Sequence, residues 1–275
     1  MNASEALPPD VAAATRTVQV RSIDGAASSQ ADDLVVLEHT VTLLVKDLGS
    51  FTLMCTPTDV EAMAVGFAFA EGIIDSADDV VALAVGKDDP NVVALEVEDP
   101  AAASTRRNMI IATSCGMCGR RTIEALLERT EPCRTTTRIT REALLALPQR
   151  LEEIQGLYRA TGASHAAALF DAEGHMVAGG EDIGRHTAMD KAIGTCLLAG
   201  RSPAGCVAAL SGRASFEMVA KAARAGIEII AAVSAPSSFA IEAAERWNIT
   251  LCGFVRPPRA NVYTHPTRIT GVKTP

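Results

Sequence analysis

Residues 206–255 read CVAALSGRASFEMVAKAARAGIEIIAAVSAPSSFAIEAAERWNITLCGFV, and their rhythm decides the fold. Short apolar runs at 206–210, 227–233 and 249–255 have the length and composition of strands, while 214–225, stopped by Gly226, and 237–247 have helical spacing. Three strands separated by two helices predict a parallel sheet wound with right-handed crossovers. The loops that follow the strands then share one edge, the edge where α/β proteins hold ligands. Those loops are Ser211-Gly212-Arg213, Ser234-Ala235-Pro236-Ser237-Ser238 and Arg256-Pro257-Pro258-Arg259. They offer hydroxyls and backbone amides at two helix N-termini together with three guanidiniums, which is the equipment for a phosphate. Ordinary loop and cap chemistry accounts for each of them taken singly.

Toward the N-terminus, 164–171 and 175–178 read as a hairpin leading into Gly179-Gly180-Glu181-Asp182-Ile183-Gly184-Arg185-His186. Asp182 is placed to cap a helix that runs to about Leu198, with Met189, Ile193 and Cys196 on its inner face. His186, among Glu181, Asp182 and Arg185, is open to an acid–base role and to a purely structural one, and so is His265. Thr140 caps a further helix with Leu144, Leu147, Leu151 and Ile154 along one face and Pro148 inside it. Before it, 34–45 and 51–55 suggest a hairpin, Thr58-x-x-Glu61 a capping box opening a helix that Gly72 ends, and 80–85, 92–97 and 108–112 three strands. A short helix is expected at 122–129, and 1–33, rich in Ala, Ser and Asp without periodicity, reads as a disordered leader. The chain is therefore α/β in class: leader 1–33, an α+β part 34–140 and an α/β part 141–275.

Thr113-Ser114-Cys115-Gly116-Met117-Cys118-Gly119 falls between the expected strand at 108–112 and Arg120-Arg121. The glycines leave the backbone free to expose two thiols, and cations beside a helix N-terminus favour thiolate over thiol, so Cys115 reads as a nucleophile toward sulfur. Half of a zinc site is the other reading; a closed tetrahedral site needs a second ligand pair, and the sequence has none. Cys55, Cys196, Cys206 and Cys252 lie in apolar runs as small core residues, and Cys133 follows Pro132.

A chain of 275 residues, 48% hydrophobic, has ample material for a core. No apolar run is long enough to cross a membrane, and no basic-then-apolar leader opens the chain. Seven cysteines fit a reducing compartment better than a disulfide framework, so a cytoplasmic location is expected. The net charge of -8 weighs against general nucleic-acid binding, yet it hides an asymmetry. Residues 1–105 hold 18 acids and 4 bases, net -14, whereas 106–275 hold 15 acids and 21 bases, net +6. An anion is expected on the second part, and Arg246, Arg256, Arg259, Arg268 and Lys273, with no acid after Glu245, suggest an ordered phosphate-seeking segment.

Ser114-Cys115-Gly116-Met117-Cys118-Gly119, Gly180-Glu181-Asp182-Ile183-Gly184-Arg185-His186, Leu210-Ser211-Gly212-Arg213-Ala214-Ser215, Ser234-Ala235-Pro236-Ser237-Ser238, Gly253-Phe254-Val255-Arg256 and Asn261-Val262-Tyr263-Thr264-His265-Pro266 occur in one chain. In this combination the sequence resembles the FdhD family, sulfur carrier proteins required for formate dehydrogenase activity. The resemblance implies a sulfurtransferase that takes persulfide sulfur from a cysteine desulfurase on Cys115, with Cys118 assisting. It implies delivery of that sulfur to molybdenum in bis(molybdopterin guanine dinucleotide), bound as substrate along Phe254, Val255, Arg256, Pro257, Pro258 and Arg259, to which the loop reading adds Arg213. A homodimer, formate dehydrogenase as client, no tightly bound structural metal and a cytidine deaminase-like three-layer fold in 141–275 are further implications. The deaminase signature of His-x-Glu and Pro-Cys-x-x-Cys has no counterpart at residues 184–188 or 211–215, which disfavours a zinc hydrolase. Two rival readings are a non-enzymatic chaperone for the molybdenum cofactor and a C-x-x-C thiol–disulfide protein.

Overall fold

The computed structural model describes residues 7–100, 130–134 and 136–272. The strand expected at 108–112, the cysteine loop at 113–119 with Cys115 and Cys118, and the helix expected at 122–129 lie outside them.

The alternation of 206–255 becomes β10 (Val207–Leu210), α6 (Phe216–Arg224), β11 (Ile229–Ala232), α7 (Ser238–Arg246) and β12 (Thr250–Arg256). β10, β11 and β12 are parallel neighbours. The hairpin β8 (His165–Phe170) and β9 (Met176–Asp182) joins antiparallel beside β10, and β13 (Arg259–Val262) folds back antiparallel on β12, giving the order β13-β12-β11-β10-β8-β9. The sheet is thus mixed, with a parallel centre. β10 and β11 are apolar at every position because both faces are covered. Alternate residues divide between the faces: Ala167, Leu169, Ala208, Leu210, Ile230 and Leu251 share one core with α6, α7 and α5 (Arg185–Leu198), while Ala166, Ala168, Phe170, Val207, Ala209 and Ile229 share another with α3 (Arg141–Glu152). At the end of the short β7 (Ile139–Thr140) the Thr140 hydroxyl accepts from the Ala143 N–H, so α3 starts as its sequence predicts, with Leu144, Leu147 and Leu151 buried.

A second sheet, in the order β4-β3-β6-β5, is made of β3 (His39–Val45), β4 (Gly49–Cys55), β5 (Val80–Val85) and β6 (Val92–Val97). Helix α2 (Val60–Ala70) lies between this sheet and α5 and buries every residue from Ala62 to Ala70, as a helix apolar all round must. A Cβ on Gly66 would fall 1.8 Å from the Asp190 carbonyl oxygen, and one on Gly194 would fall 1.8 Å from that of Ala62. Two glycines facing each other therefore let the backbones of α2 and α5 touch, and one continuous core joins the two sheets.

Four sequence readings need correction. The leader is ordered from Pro9: α1 (Pro9–Ala13) is followed by β1 (Thr15–Asp24) and β2 (Ala27–Val36), an antiparallel hairpin closed through Gly25 at φ +59. The Asp24-Gly25 pair was its sequence signal, a glycine at the first position of a two-residue turn, and β2 takes up Leu34 to Val36, so β3 starts only at His39. Thr58 does not cap α2; Asp59 is its N-cap, in a left-handed conformation and without a side-chain cap bond. Asp182 does not cap α5 either, because Gly184 takes that place and the Asp182 carboxylate is buried against Lys191. Arg268 is no phosphate ligand: it is 1% exposed and paired with the buried Glu228 at 3.3 Å. Gly72, at φ +73, does end α2.

Candidate functional site

The three loops at the end of β10, β11 and β12 are bound to one another. Ala214 donates to the Ala235 carbonyl at 3.2 Å and accepts from the Ser237 N–H at 3.1 Å, so the first two loops run side by side. Phe254 N–H donates to the Ser234 carbonyl at 3.1 Å, and Arg256 Nε to the Val233 carbonyl at 3.1 Å, which ties in the third. Two of the hydroxyls expected for a phosphate serve the fold instead: Ser211 Oγ accepts from Ala166 N–H at 2.9 Å, and Ser237 Oγ caps α7 through Ala240 N–H.

Beside this edge opens a cleft of about 680 Å³ between α3, the following α4 (Gly156–Thr161) and the loops. Ser164, His165, Ile183, Ser211, Arg256 and Pro257 are among the residues that line it. His165, at the start of β8, lies 3.4 Å from Ser211 Oγ through Nδ1. Burial pushes its pKa below the ordinary histidine value, and the positive charges of Arg185, Arg213 and His186 push it the same way. Arg185 is lowered too, first by burial and then by Arg213, and its Nε is buried with no hydrogen-bond partner. Cations are therefore gathered here against their mutual repulsion, a field that favours an anion.

The third loop carries the strongest feature. Arg256 and Arg259 are register partners across the β12–β13 turn, both exposed, with Pro257-Pro258 between them. Like charges directly opposite in a sheet are destabilising until something negative lies between them. Just before them a register shift puts Phe254 at φ +50 with its side chain 42% exposed. A bulky residue held left-handed and displayed to solvent stores strain of order 1–3 kcal/mol, the kind found at ligand sites. Val255, by contrast, is fully buried and anchors the turn in the core.

Behind the cleft stands a set of paired charges that sequence reasoning did not foresee. Lys191 and Asp182, both fully buried, meet at 2.8 Å; Asp182 also accepts from the Thr56 and Gly184 N–H groups, while Lys191 donates to the Thr56 and Glu181 carbonyls. Asp190, next to Lys191 in α5, pairs with Lys221 of α6. Burial raises the pKa of both aspartates, and the lysines pull it back. His186 Nε2 lies 2.7 Å from a carboxylate oxygen of Glu217, which fixes the ring at the first turn of α5. Glu181 is likewise structural, accepting from Leu157 N–H, Tyr158 N–H and the Ser164 hydroxyl. His265 hydrogen-bonds the Glu245 carbonyl, the structural one of its two readings.

Cys55, Cys133, Cys196, Cys206 and Cys252 are all buried. Burial pushes the Cys55 and Cys252 thiols up to about 12 and those of Cys133 and Cys206 to about 11, so at neutral pH they are protonated and inert. No helix among the described residues is long and apolar enough to cross a membrane.

Comparison with known proteins bears on this site. The sequence model of the FdhD/NarQ family matches residues 36–270. The sulfur carrier protein FdhD of Bordetella parapertussis is 40% identical over 260 residues, covering 93% of this chain and 94% of that protein. The protein of the same name from Sulfurisphaera tokodaii is 38% identical over 258 residues, covering 92% and 98%. A crystal structure from Desulfotalea psychrophila, of a protein provisionally assigned as a formate dehydrogenase accessory protein, shares the fold with a TM-score of 0.75 at 24% identity, covering 93% of this chain and 99% of that one.

Proposed function

Since the chain belongs to the FdhD/NarQ family, we propose that it is a sulfur carrier acting on a nucleotide-bearing molybdenum cofactor. Cys115 thiolate attacks the outer sulfur of a cysteine desulfurase persulfide; a new S–S bond forms, the donor's S–S bond breaks, and the donor cysteine leaves as thiolate. With five of the seven cysteines buried and protonated, Cys115 and Cys118 are the thiols left for this work. Attack of Cys118 on the Cys115 sulfur would expel hydrosulfide and leave a disulfide, which a dithiol reductant resets. Molybdenum of bis(molybdopterin guanine dinucleotide) is the acceptor, and a formate dehydrogenase is the client that the family resemblance implies.

One observation carries the cofactor half of this reading: exposed Phe254 on strained backbone and the opposed Arg256 and Arg259 share one turn, whose Arg256 and Pro257 line the cleft. An aromatic face stacks on a purine, and paired guanidiniums fit a diphosphate. Arg213 on the first loop and the unpartnered Arg185 Nε at the start of α5 add donors. A cofactor with two guanine nucleotide arms would occupy two such clefts, so the reading includes two copies acting together.

Intact mass after incubation with a cysteine desulfurase and cysteine tests the sulfur half. We expect a gain of one sulfur on the wild type and none on Cys115→Ala, with loss of client activation. Loading retained in Cys115→Ala would overturn the assignment.

A further inference from the structure

The hairpin β1–β2 is a two-stranded sheet of its own, joined to neither of the larger sheets. Only its base is held: Leu37 N–H donates to the Ala14 carbonyl at 2.7 Å, and Val36 packs with Val11, Ala14, Leu157 and Ala160. From Arg21 to Asp33 every residue is exposed, Ile23 to 75%. A ten-residue ladder with both edges open is marginal by itself and is a template for another strand. All of it but Val36 precedes residues 36–270, the part that the family model matches.

Closing the hairpin with a two-residue turn makes Asp24 and Ala27 a hydrogen-bonded pair, so Thr15, Thr17, Gln19, Arg21 and Ile23 turn their N–H and C=O groups away from β2. We propose that this free edge of β1 pairs antiparallel with β1 of a second copy, about a two-fold axis through Val20. That register is self-complementary. It sets Arg16 opposite Asp24 of the second copy, twice over, with Thr17 opposite Ile23, Gln19 opposite Arg21, and Val20 opposite itself. The edge of β2 does not offer the same, because Ala27–Val36 carries Asp32 and Asp33 and no cation, so pairing with its own copy gathers four carboxylates. A four-stranded sheet, β2-β1-β1-β2, results, and closure of the two-fold removes the open β1 edge. This rests on the two-copy arrangement above and adds its location.

Light scattering and sedimentation on the full chain test it. The wild type should weigh twice 28.7 kDa at low micromolar concentration. Gln19→Pro deletes an outward donor and leaves the β1–β2 ladder intact, so it should shift the chain to monomer without changing its melting or its nucleotide binding. Arg16→Asp and Asp24→Arg should each weaken the dimer about tenfold, by replacing two attractions with two repulsions, and the two together should restore it to within about twofold. A dimer indifferent to Gln19→Pro, or a double variant no tighter than the singles, overturns the hairpin interface and leaves the two-copy arrangement standing. A wild-type monomer that still loads sulfur overturns both while sparing the sulfur-carrier assignment.

Discussion

The buried charges and those along the loop edge obey opposite rules. In the interior, Asp182 has Lys191, Asp190 has Lys221 and Glu228 has Arg268, each of these acids matched by one base. At the edge, Arg185, Arg213 and His165 gather, and the β12–β13 turn sets Arg256 and Arg259 face to face. Buried pairs satisfy each other and hold the fold; gathered cations raise a field that favours an anion. The difference separates scaffold from site without reference to any relative. Removing a charge should therefore cost stability among the buried pairs and affinity at the loop edge.

The largest effect is expected at Lys191→Met. It leaves the Asp182 carboxylate buried without its cation, at a cost of about 3–5 kcal/mol, which a urea titration would read as a lower midpoint at unchanged slope. Stability within 1 kcal/mol of wild type would mean that Asp182 is satisfied by its backbone donors alone and that the contrast is false. Next comes the double variant Arg256→Ala with Arg259→Ala. Each charge-assisted contact is worth roughly 1.5–3 kcal/mol, so calorimetry should show guanine nucleotide binding weakened by more than tenfold, with melting unchanged or slightly raised. Unchanged affinity would move the ligand off this turn.

The smallest effect sharpens the comparison through pH. His165 has a folded pKa below its unfolded value, so as pH falls through the unfolded value of about 6.5 the unfolded chain takes up a proton that the folded chain resists. Unfolding free energy then drops as the solution is acidified from neutrality, and the loss ends only below the folded pKa. His165→Gln removes this contribution, so stability profiles of the two proteins between pH 7.5 and 5.5, taken as order-of-magnitude limits around that value, should diverge on the acid side. Parallel profiles would mean that neither burial nor the neighbouring cations hold His165 below its ordinary value.

The parallel core of the sheet and its binding edge were legible because apolar runs and helical spacing alternate without interruption in 206–255, and topology alone then brings three loops together. The partners behind the site were not. His186 and Glu217, or Asp182 and Thr56, are joined only by the fold, and no local spacing announces such a pair. Arg268 was misread because a guanidinium in a basic segment looks solvated; the warning was Glu228, a carboxylate inside the apolar run 227–233, which demands a buried cation. The hairpin was missed because Ser, Ala and Asp in β2 mask a strand that pairing, rather than burial, holds.

The contact between Gly66 and Gly194 sets a schedule for synthesis. Helix α2 is apolar on every side, and half of its cover is α5, whose central glycine leaves the ribosome 128 residues later. At 5–20 residues per second the gap is roughly 6–26 s. Throughout it α2 has the four-stranded sheet on one side and lacks α5 on the other, which makes the nascent first half a natural client for a chaperone that shields apolar surface until α5 arrives.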